Sequence, residues 1–310
     1  MDGSAIGAPR LLGWSPDSRP GSGWAVGIYR GDSPLRLSPV QEGPVLSWSD
    51  VRDARAAFVA DPFMIRVDGV WSMFFEVLAL DRSKGEIGLA TSRDGVRWDY
   101  RGIVLQEPWH LSYPYVLEWQ GAHYMIPESH VANEVVLYRA RSFPTGWTRC
   151  ATLLAGSFAD SSLFHFEERW WMFTAPVPGR WDCELYTADH LEGPWRAHPA
   201  SPVVQGDRRT ARQGGRVLIW NGRPLRYAQD GIPRYGTRVR AFAVTELTPA
   251  SYREEEVPES PVLGPTGAGW NRTGMHHIDP HPTGDGGWIA CVDGDAREAG
   301  PPSSLSYSRT

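Results

Sequence analysis

Residues 58–76 read FVADPFMIRVDGVWSMFFE. Asp61 stands before a proline at the head of an apolar run. The chain turns at Asp68-Gly69, a strong hairpin signal, and an aromatic-rich run returns to Glu76. A hairpin of this kind carries one carboxylate at each open end.

The pattern recurs without gaps. ADPFMIRVDGVWSMFFE begins at Ala60, SYPYVLEWQGAHYMIPE at Ser112 and ADSSLFHFEERWWMFTA at Ala159. Asp61 to Glu76 and Tyr113 to Glu128 are both 15 residues; the same step from Asp160 lands on Ala175. Weaker copies occupy 211–230, turning at Asn221-Gly222, and 276–293, with HHIDPH at its start. Behind each of the first four copies lies a second alternating pair, at 85–105, 133–154, 183–204 and 237–257, three of them with a Trp beyond the turn (Trp98, Trp147, Trp195). The fifth has only SLSYSRT (304–310) behind it, whereas residues 23–46 at the front of the chain look like an orphan pair.

Fixed-period similarity of this kind is the signature of a repeat architecture. The heads of the copies are 52, 47 and 52 residues apart (Asp61, Tyr113, Asp160, Arg212), and propeller blades use about 40–50. The sequence therefore predicts an all-β, five-bladed β-propeller, closed by N-terminal strands in the last blade. A β-sandwich would explain the alternation but neither the five-fold repeat nor the orphan pair. Blade 1 is expected at 58–105, blade 2 at 110–154, blade 3 at 157–204, blade 4 at 209–258, and blade 5 at 23–50 with 274–294. Residues 23–310 would form one domain. Residues 1–22, rich in Gly, Pro and Ser, read as a flexible tail.

Composition agrees. The 310 residues hold 33 Gly, 26 Pro and 15 Trp, suiting many short strands and tight turns. A net charge of −5 without a basic stripe argues against nucleic acid as a partner. No apolar run approaches a membrane span, and the N-terminus lacks a secretory pattern. Cys150, Cys183 and Cys291 are an odd number without metal-type spacing; reduced thiols in a cytoplasmic protein are expected. Asn271 begins an N-R-T glycosylation pattern that has meaning only in a secreted chain.

In a propeller the first strand of each blade lines the channel, so its heads converge on one mouth. Those heads are Asp61, Tyr113, Asp160, Arg212 and His277. The antiparallel second strand returns to the same face, bringing Glu76, Glu128, Gln229 or Asp230, and Asp293 beside them. Crowded carboxylates raise one another's pKa, which is how a general acid is kept near neutral pH. Each residue also has a plainer use: Asp61 as a turn cap, Asp160 as a partner for backbone N–H groups, Glu76 and Glu128 as strand ends paired with Arg. The run HHIDPH suggests a metal, but adjacent strand residues face opposite ways, so at most one of His276 and His277 should reach the channel.

The motifs FVADPFMI, GEIGLATSRDGVRWDY, HLSYPYV, YMIPES, LYRARSFPTGW and ADSSLF with RWWMF closely resemble the N-terminal domain of plant glucosamine inositolphosphorylceramide transferases and its stand-alone bacterial relatives. That family is in turn similar to the five-bladed propellers of glycoside hydrolase family 43. The resemblance covers roughly 24–294. It implies a base at Asp61 and an acid-tuning, substrate-orienting carboxylate at Asp160. It also implies a general acid at the head of blade 4, where this chain has Arg212 and Gln213, neither of which can donate a proton usefully. Glu128 or Glu76 would have to replace it. His277 is the nearest match to the residue that serves a central water-bound calcium in such hydrolases; no other cofactor is expected. Trp109, His110, Tyr113, Tyr115, Arg212, Gln229, Asp230, His276 and His277 are the candidate substrate contacts. The leading expectation is glycoside hydrolase-like acid/base chemistry on a sugar or glycosylated small molecule. Two alternatives use the same funnel: elimination, isomerisation or cyclisation of an anionic metabolite held by Arg212, and glycan recognition without catalysis.

Overall fold

A computed structural model describes residues 19–21, 23–178 and 181–297. The tail expected over 1–22 lies, apart from 19–21, outside the described residues, as does 304–310. The described chain is strand and turn, with three 3-10 turns and no α-helix. Among the described residues no helix is long and apolar enough to cross a membrane.

Five antiparallel sheets form a five-bladed β-propeller. Blade 1 runs outward through Ala56–Val67, Val70–Ala79, Lys84–Ser92 and Asp99–Leu105. Blade 2 uses Ser112–Trp119, Ala122–Glu128, Glu134–Ser142 and Thr145–Ala155. Blade 3 uses Phe158–Phe166, Arg169–Pro176, Glu184–Ala188 and the short Arg196–Ala197. In blade 4 the first strand is broken into Arg212–Gln213 and Leu218–Trp220, followed by Arg223–Asp230, Arg238–Leu247 and Tyr252–Glu256. In the last sheet Ile278–Pro282 and Trp288–Asp295 are joined by Trp24–Ser33 and Arg36–Pro39. Trp24 pairs with Asp295 and Gly31 with Trp288, so the two ends of the chain share one sheet and leave no open seam in the ring.

Packing follows the alternation. Residues on the blade faces are apolar and buried, among them Phe63, Phe74, Met125, Ile126, Tyr138, Met172 and Trp170 between blades 1 to 3. The repeated Trp has a repeated job: the indole N–H of Trp98, Trp147 and Trp195 donates to the carbonyl of Gly95, Pro144 and Leu191, at 3.1 to 3.2 Å. Each thereby pins the outer turn of its own blade.

The channel is closed at its lower end. Arg216 pairs with Asp279 through Nε, donates to the Val116 carbonyl at 2.9 Å and lies over the Tyr115 ring. His281 and the backbone N–H of Met64 complete Asp279. One guanidinium on blade 4 thus ties together blades 1, 2 and 5.

All three cysteines are free. Asn271 is buried and donates to the Tyr29 hydroxyl at 3.1 Å, so the N-R-T pattern is a packing element and not an accessible acceptor.

Candidate active site

The upper mouth is built by a local irregularity used three times. Pairing runs Ala60 to Glu76 and then jumps to Phe63 with Phe74; it runs Ser112 to Glu128 and then Tyr115 with Ile126; it runs Ala159 to Ala175 and then Ser162 with Phe173. Each jump is a bulge. Its first residue takes the left-handed conformation: Asp61 at φ 51°, Tyr113 at 45°, Asp160 at 51°. Such bulges re-aim a side chain beside a site, and Asp accepts that backbone more readily than most residues. The conformation turns the head residues into the channel. It also leaves the partner of the preceding residue, Glu76 or Glu128, facing the same opening.

An opening of about 340 Å³, mouth included, is lined by Trp24, Phe58, Asp61, Glu76, Glu128, Arg212, Tyr235 and His276, with Ala60 and Ser112. Asp61, Glu76, Glu128, Arg212 and His276, all expected here, are therefore brought together. Asp160 joins them through Arg212, whose Nε donates to Asp160 Oδ2 and whose Nη2 lies 3.3 Å from Glu128 Oε2. Gln229 donates to Asp160 Oδ2 at 3.0 Å.

The carboxyls differ in environment. Glu128 has every acceptor occupied: Oε1 faces His130 Nδ1 at 2.7 Å, while Oε2 takes the Asp160 N–H at 3.2 Å and Arg212. Burial works to raise it, but His130 and Arg212 overcome that and hold it well below the usual carboxylate range. Asp293 is held similarly. Its Oδ1 takes the backbone N–H groups of His276 and His277 and faces His276 Nδ1 at 2.8 Å, and its Oδ2 takes the Asp61 N–H. Burial would raise Asp293; His276 keeps it lowered. Burial would lower His276 in turn, and Asp293 keeps it raised.

Asp61 and Glu76 are the opposite case. Both are more than nine-tenths buried, and Asp61 Oδ1 and Glu76 Oε1 have no hydrogen-bond partner. His276 Nε2 is 3.6 Å from Asp61 Oδ1, and His110 Nε2 is 3.4 Å from Glu76 Oε1. Burial, opposed by His276 and helped by Asp293, lifts Asp61 to about 6. Burial and then the neighbouring carboxylates, Asp61 first, lift Glu76 well above its ordinary value. Asp160 is also pushed up by burial, against the pull of Arg212; two donors on one of its oxygens favour its charged form.

His110 sits behind Glu76. Its Nδ1 accepts the Gly85 N–H at 2.8 Å, and burial lowers its pKa to about 4. The ring is therefore neutral, with its hydrogen on Nε2, toward Glu76 Oε1. Gly85 is required for this contact. A Cβ there would lie 2.3 Å from the Leu111 carbonyl, 2.7 Å from His110 Cε1 and 2.9 Å from Glu76 Oε1.

Several expected contacts are placed elsewhere. Tyr113 passes below the opening; its hydroxyl meets Ser162 at 2.8 Å and takes the Gly215 N–H at 2.9 Å. Ser112, one residue earlier, lines the opening instead. Tyr115 lies deeper still, bonded to the Leu163 carbonyl under Arg216. Trp109 packs against the core of blades 1 to 3. Asp230 faces away, toward Arg240 at 2.9 Å and the Ile232 N–H. Gln229 is its strand neighbour, so only one of the two can face the site. His276 and His277 precede their strand, which begins at Ile278, so strand alternation does not govern them. His276 lines the opening, stacked on Trp24 at 3.9 Å. His277 lies buried between the edges of Phe63 and Tyr113, neither ring nitrogen partnered. Trp24, Phe58, Tyr235 and His130 were not among the candidates. Trp24 opens the closing strand and Tyr235 lies in a loop between strands, both outside the repeating unit.

The sequence profile described as "Glucosamine inositolphosphorylceramide transferase 1, N-terminal" matches residues 16–295. Glucosamine inositolphosphorylceramide transferase 1 of Oryza sativa subsp. japonica is 34% identical over 315 residues, spanning 94% of this chain and 42% of that protein. The Arabidopsis thaliana protein of the same name is 32% identical over 301 residues, 89% of this chain and 39% of its own length. The chain thus spans about two fifths of these curated relatives. Among solved structures, an exo-β-1,3-galactanase from Clostridium thermocellum superposes with TM-score 0.60 at 13% identity, covering 81% of this chain and 60% of that one. A β-1,2-mannobiose phosphorylase from Listeria innocua gives 0.59 at 13%, covering 86% and 96%. A GH62 α-L-arabinofuranosidase from Coprinopsis cinerea gives 0.55 at 14%, covering 90% and 100%. These likenesses establish the propeller fold. By profile and by identity, the chain belongs to the family of the N-terminal domain of glucosamine inositolphosphorylceramide transferase 1.

Proposed function

We propose that this propeller is a sugar-processing enzyme in which Glu76 is the general acid and Asp61 the general base. One observation carries the reading: two buried carboxyls with unpartnered oxygens face one opening, and their surroundings separate their protonation. Asp61 at about 6 is mostly ionised at neutral pH, while Glu76 lies well above its ordinary value. Pairs of titratable groups pushed apart in this way are acid/base pairs. The named activities of the relatives and of the structural neighbours concern sugars, which supports a sugar as the substrate class.

His110 Nε2 carries its hydrogen and lies 3.4 Å from Glu76 Oε1, the oxygen of that carboxyl that is buried without a hydrogen-bond partner, so the acid's proton is placed on Oε2. From there it can pass to a leaving oxygen. Asp61 takes the proton of the attacking hydroxyl, from water or from an acceptor sugar. His276, oriented by Asp293, stabilises the Asp61 carboxylate before transfer. Glu128, which could have served as the acid, is an anchored anion that orients Arg212. Arg212 is already engaged by Asp160 and Glu128, which weighs against an anionic metabolite as ligand. Calcium takes six to eight oxygen ligands, whereas His277 offers a ring nitrogen, is fully buried against Phe63 and Tyr113 and does not line the opening, so the residues present there do not fit a calcium ion.

The test is turnover on a panel of glycosides with good and poor leaving groups. Glu76→Gln should lose about 10²- to 10⁴-fold on poor leaving groups and much less on nitrophenyl glycosides, which depart without a proton. Asp61→Asn should lose both. Wild-type rates in both variants overturn the assignment. Binding without turnover by the wild type assigns the opening to recognition.

A further inference from the structure

We infer that Tyr235 is a further catalytic residue, whose hydroxyl holds the attacking oxygen against Asp61. The inference rests on the sugar-processing reading and adds a residue to the base's side of the site.

Tyr235 lies between the strands Arg223–Asp230 and Arg238–Leu247, in a loop tied at several points. The Asp230 carbonyl takes the Thr237 N–H at 3.1 Å, and the Arg208 carbonyl takes the Gly231 N–H at 2.9 Å. Asp230 Oδ1 takes the Ile232 N–H at 2.9 Å, and Thr237 Oγ1 donates to the Arg234 carbonyl at 2.7 Å. Gly236, at φ 71°, lets the Trp24 indole close on the loop; a Cβ there would lie 2.4 Å from Trp24 Cη2. Asp230, turned from the opening, thus fixes the loop that presents Tyr235 to it. The ring is held as well. It meets His276 in a T-shaped contact with centroids 5.2 Å apart, and the Arg212 guanidinium lies 5.4 Å from its centroid.

What this fixed ring brings is a hydroxyl. Tyr235 lines the opening, and among the described residues its hydroxyl makes no hydrogen bond. Burial raises the phenol well above its ordinary pKa; Arg212 opposes this, and Asp160, Asp61 and Glu128 add to it. The group is therefore a protonated donor at neutral pH. The cationic donors of the opening are committed elsewhere, Arg212 to Asp160 and Glu128, and His276 Nδ1 to Asp293. His276 Nε2 is 3.6 Å from Asp61 Oδ1, beyond hydrogen-bond length, and that oxygen has no partner. Because His276 meets Tyr235 through its ring and Asp61 through Nε2, Tyr235 stands on the base's side. Ser112 brings another hydroxyl to the opening, but it is paired across its hairpin with Glu128. Asp61 and Tyr235 are complementary. A water or sugar hydroxyl between them gives its proton to Asp61, accepts from the Tyr235 O–H on one lone pair and keeps the other for attack. No bond to Tyr235 forms or breaks; its part is placement, and misplacing a reactant costs about 10²-fold in rate.

The experiment is steady-state kinetics of Tyr235→Phe in the full chain on the same panel of glycosides, with urea unfolding in parallel. The substitution keeps the ring and its contacts and removes one oxygen. Its kcat should fall about 10- to 100-fold on good and poor leaving groups alike, as for Asp61→Asn and unlike Glu76→Gln. KM should change less than about threefold, and the unfolding free energy should not change, because the hydroxyl supports nothing in the fold. Wild-type kcat in Tyr235→Phe, a loss confined to poor leaving groups, or a loss carried by KM alone overturns the inference and leaves Glu76 and Asp61 as acid and base. Absence of turnover by the wild type overturns the sugar-processing reading, and this inference with it.

Discussion

One channel contains two acidic sites, and they are finished differently. At the lower end Asp279 meets Arg216, His281 and the Met64 N–H, and each of its oxygens has a donor. At the upper mouth four carboxylates share Arg212 and His276, a fifth stands among them, and two oxygens are left without donors. Both ends are buried, so solvent does not account for the contrast. A fold that completes one buried carboxylate in full could have completed the others. Leaving them open costs stability, a cost proteins accept where a site needs it, which supports the upper mouth as the candidate site.

The comparison can be broken most forcefully from below. Arg216→Ala takes the guanidinium from buried Asp279 and leaves its Oδ1 without a donor, with only His281 and the Met64 N–H still on Oδ2; it should destabilise by about 3 kcal/mol, read by urea unfolding. At the mouth the sign reverses. Asp61→Asn removes a carboxyl that burial has raised to about 6, and the variant should be more stable than the wild type at neutral pH, by up to about 3 kcal/mol.

The pH dependence sharpens the same contrast. As pH rises through about 4 the unfolded chain ionises, while folded Asp61 and Glu76 hold their protons longer. Their contribution to stability therefore falls from about pH 4 upward, for Asp61 until about 6. Asp279 is lowered because Arg216 and His281 overcome the effect of burial. Its contribution is fully present above about pH 4 and is lost as pH falls through its depressed folded value. Relative to Asp61→Asn the unfolding free energy of the wild type should fall as pH rises from about 4 to 6, and relative to Asp279→Asn it should fall as pH drops below about 4. The smallest effect is expected between the two ends. Tyr113→Phe strands the Gly215 N–H and should cost about 1–2 kcal/mol with little change in turnover.

The repeat made the ring and its acidic mouth legible. A 15-residue step carries a chain from the head of one strand to the end of the next, which located Asp61 with Glu76 and Tyr113 with Glu128. The step located backbone positions, however, and not where side chains reach. Tyr113 occupies the same left-handed bulge as Asp61, but its longer side chain extends past the mouth to Ser162, and Ser112 takes its place at the opening. Asp230 is the fourth-blade counterpart of Glu76. There the pairing of Arg212 with Gln229 is regular, so Gln229 faces the site and Asp230 turns to Arg240. Glu128 and Glu76 were equivalent by sequence. Only His130, two residues along the chain, and Arg212, brought from blade 4, separate an anchored anion from a carboxyl that burial and its neighbours raise. Trp24 and Tyr235 had no repeat partner and left no signal beyond being aromatic.

The most direct measurement is the charge state of Glu76. Infrared spectra of the wild type at neutral pH, differenced against Glu76→Gln, should contain the carbonyl stretch of a protonated carboxylic acid that the variant lacks. A difference spectrum carrying only ionised carboxylate bands would contradict the account, because Glu76 would then have no proton to give.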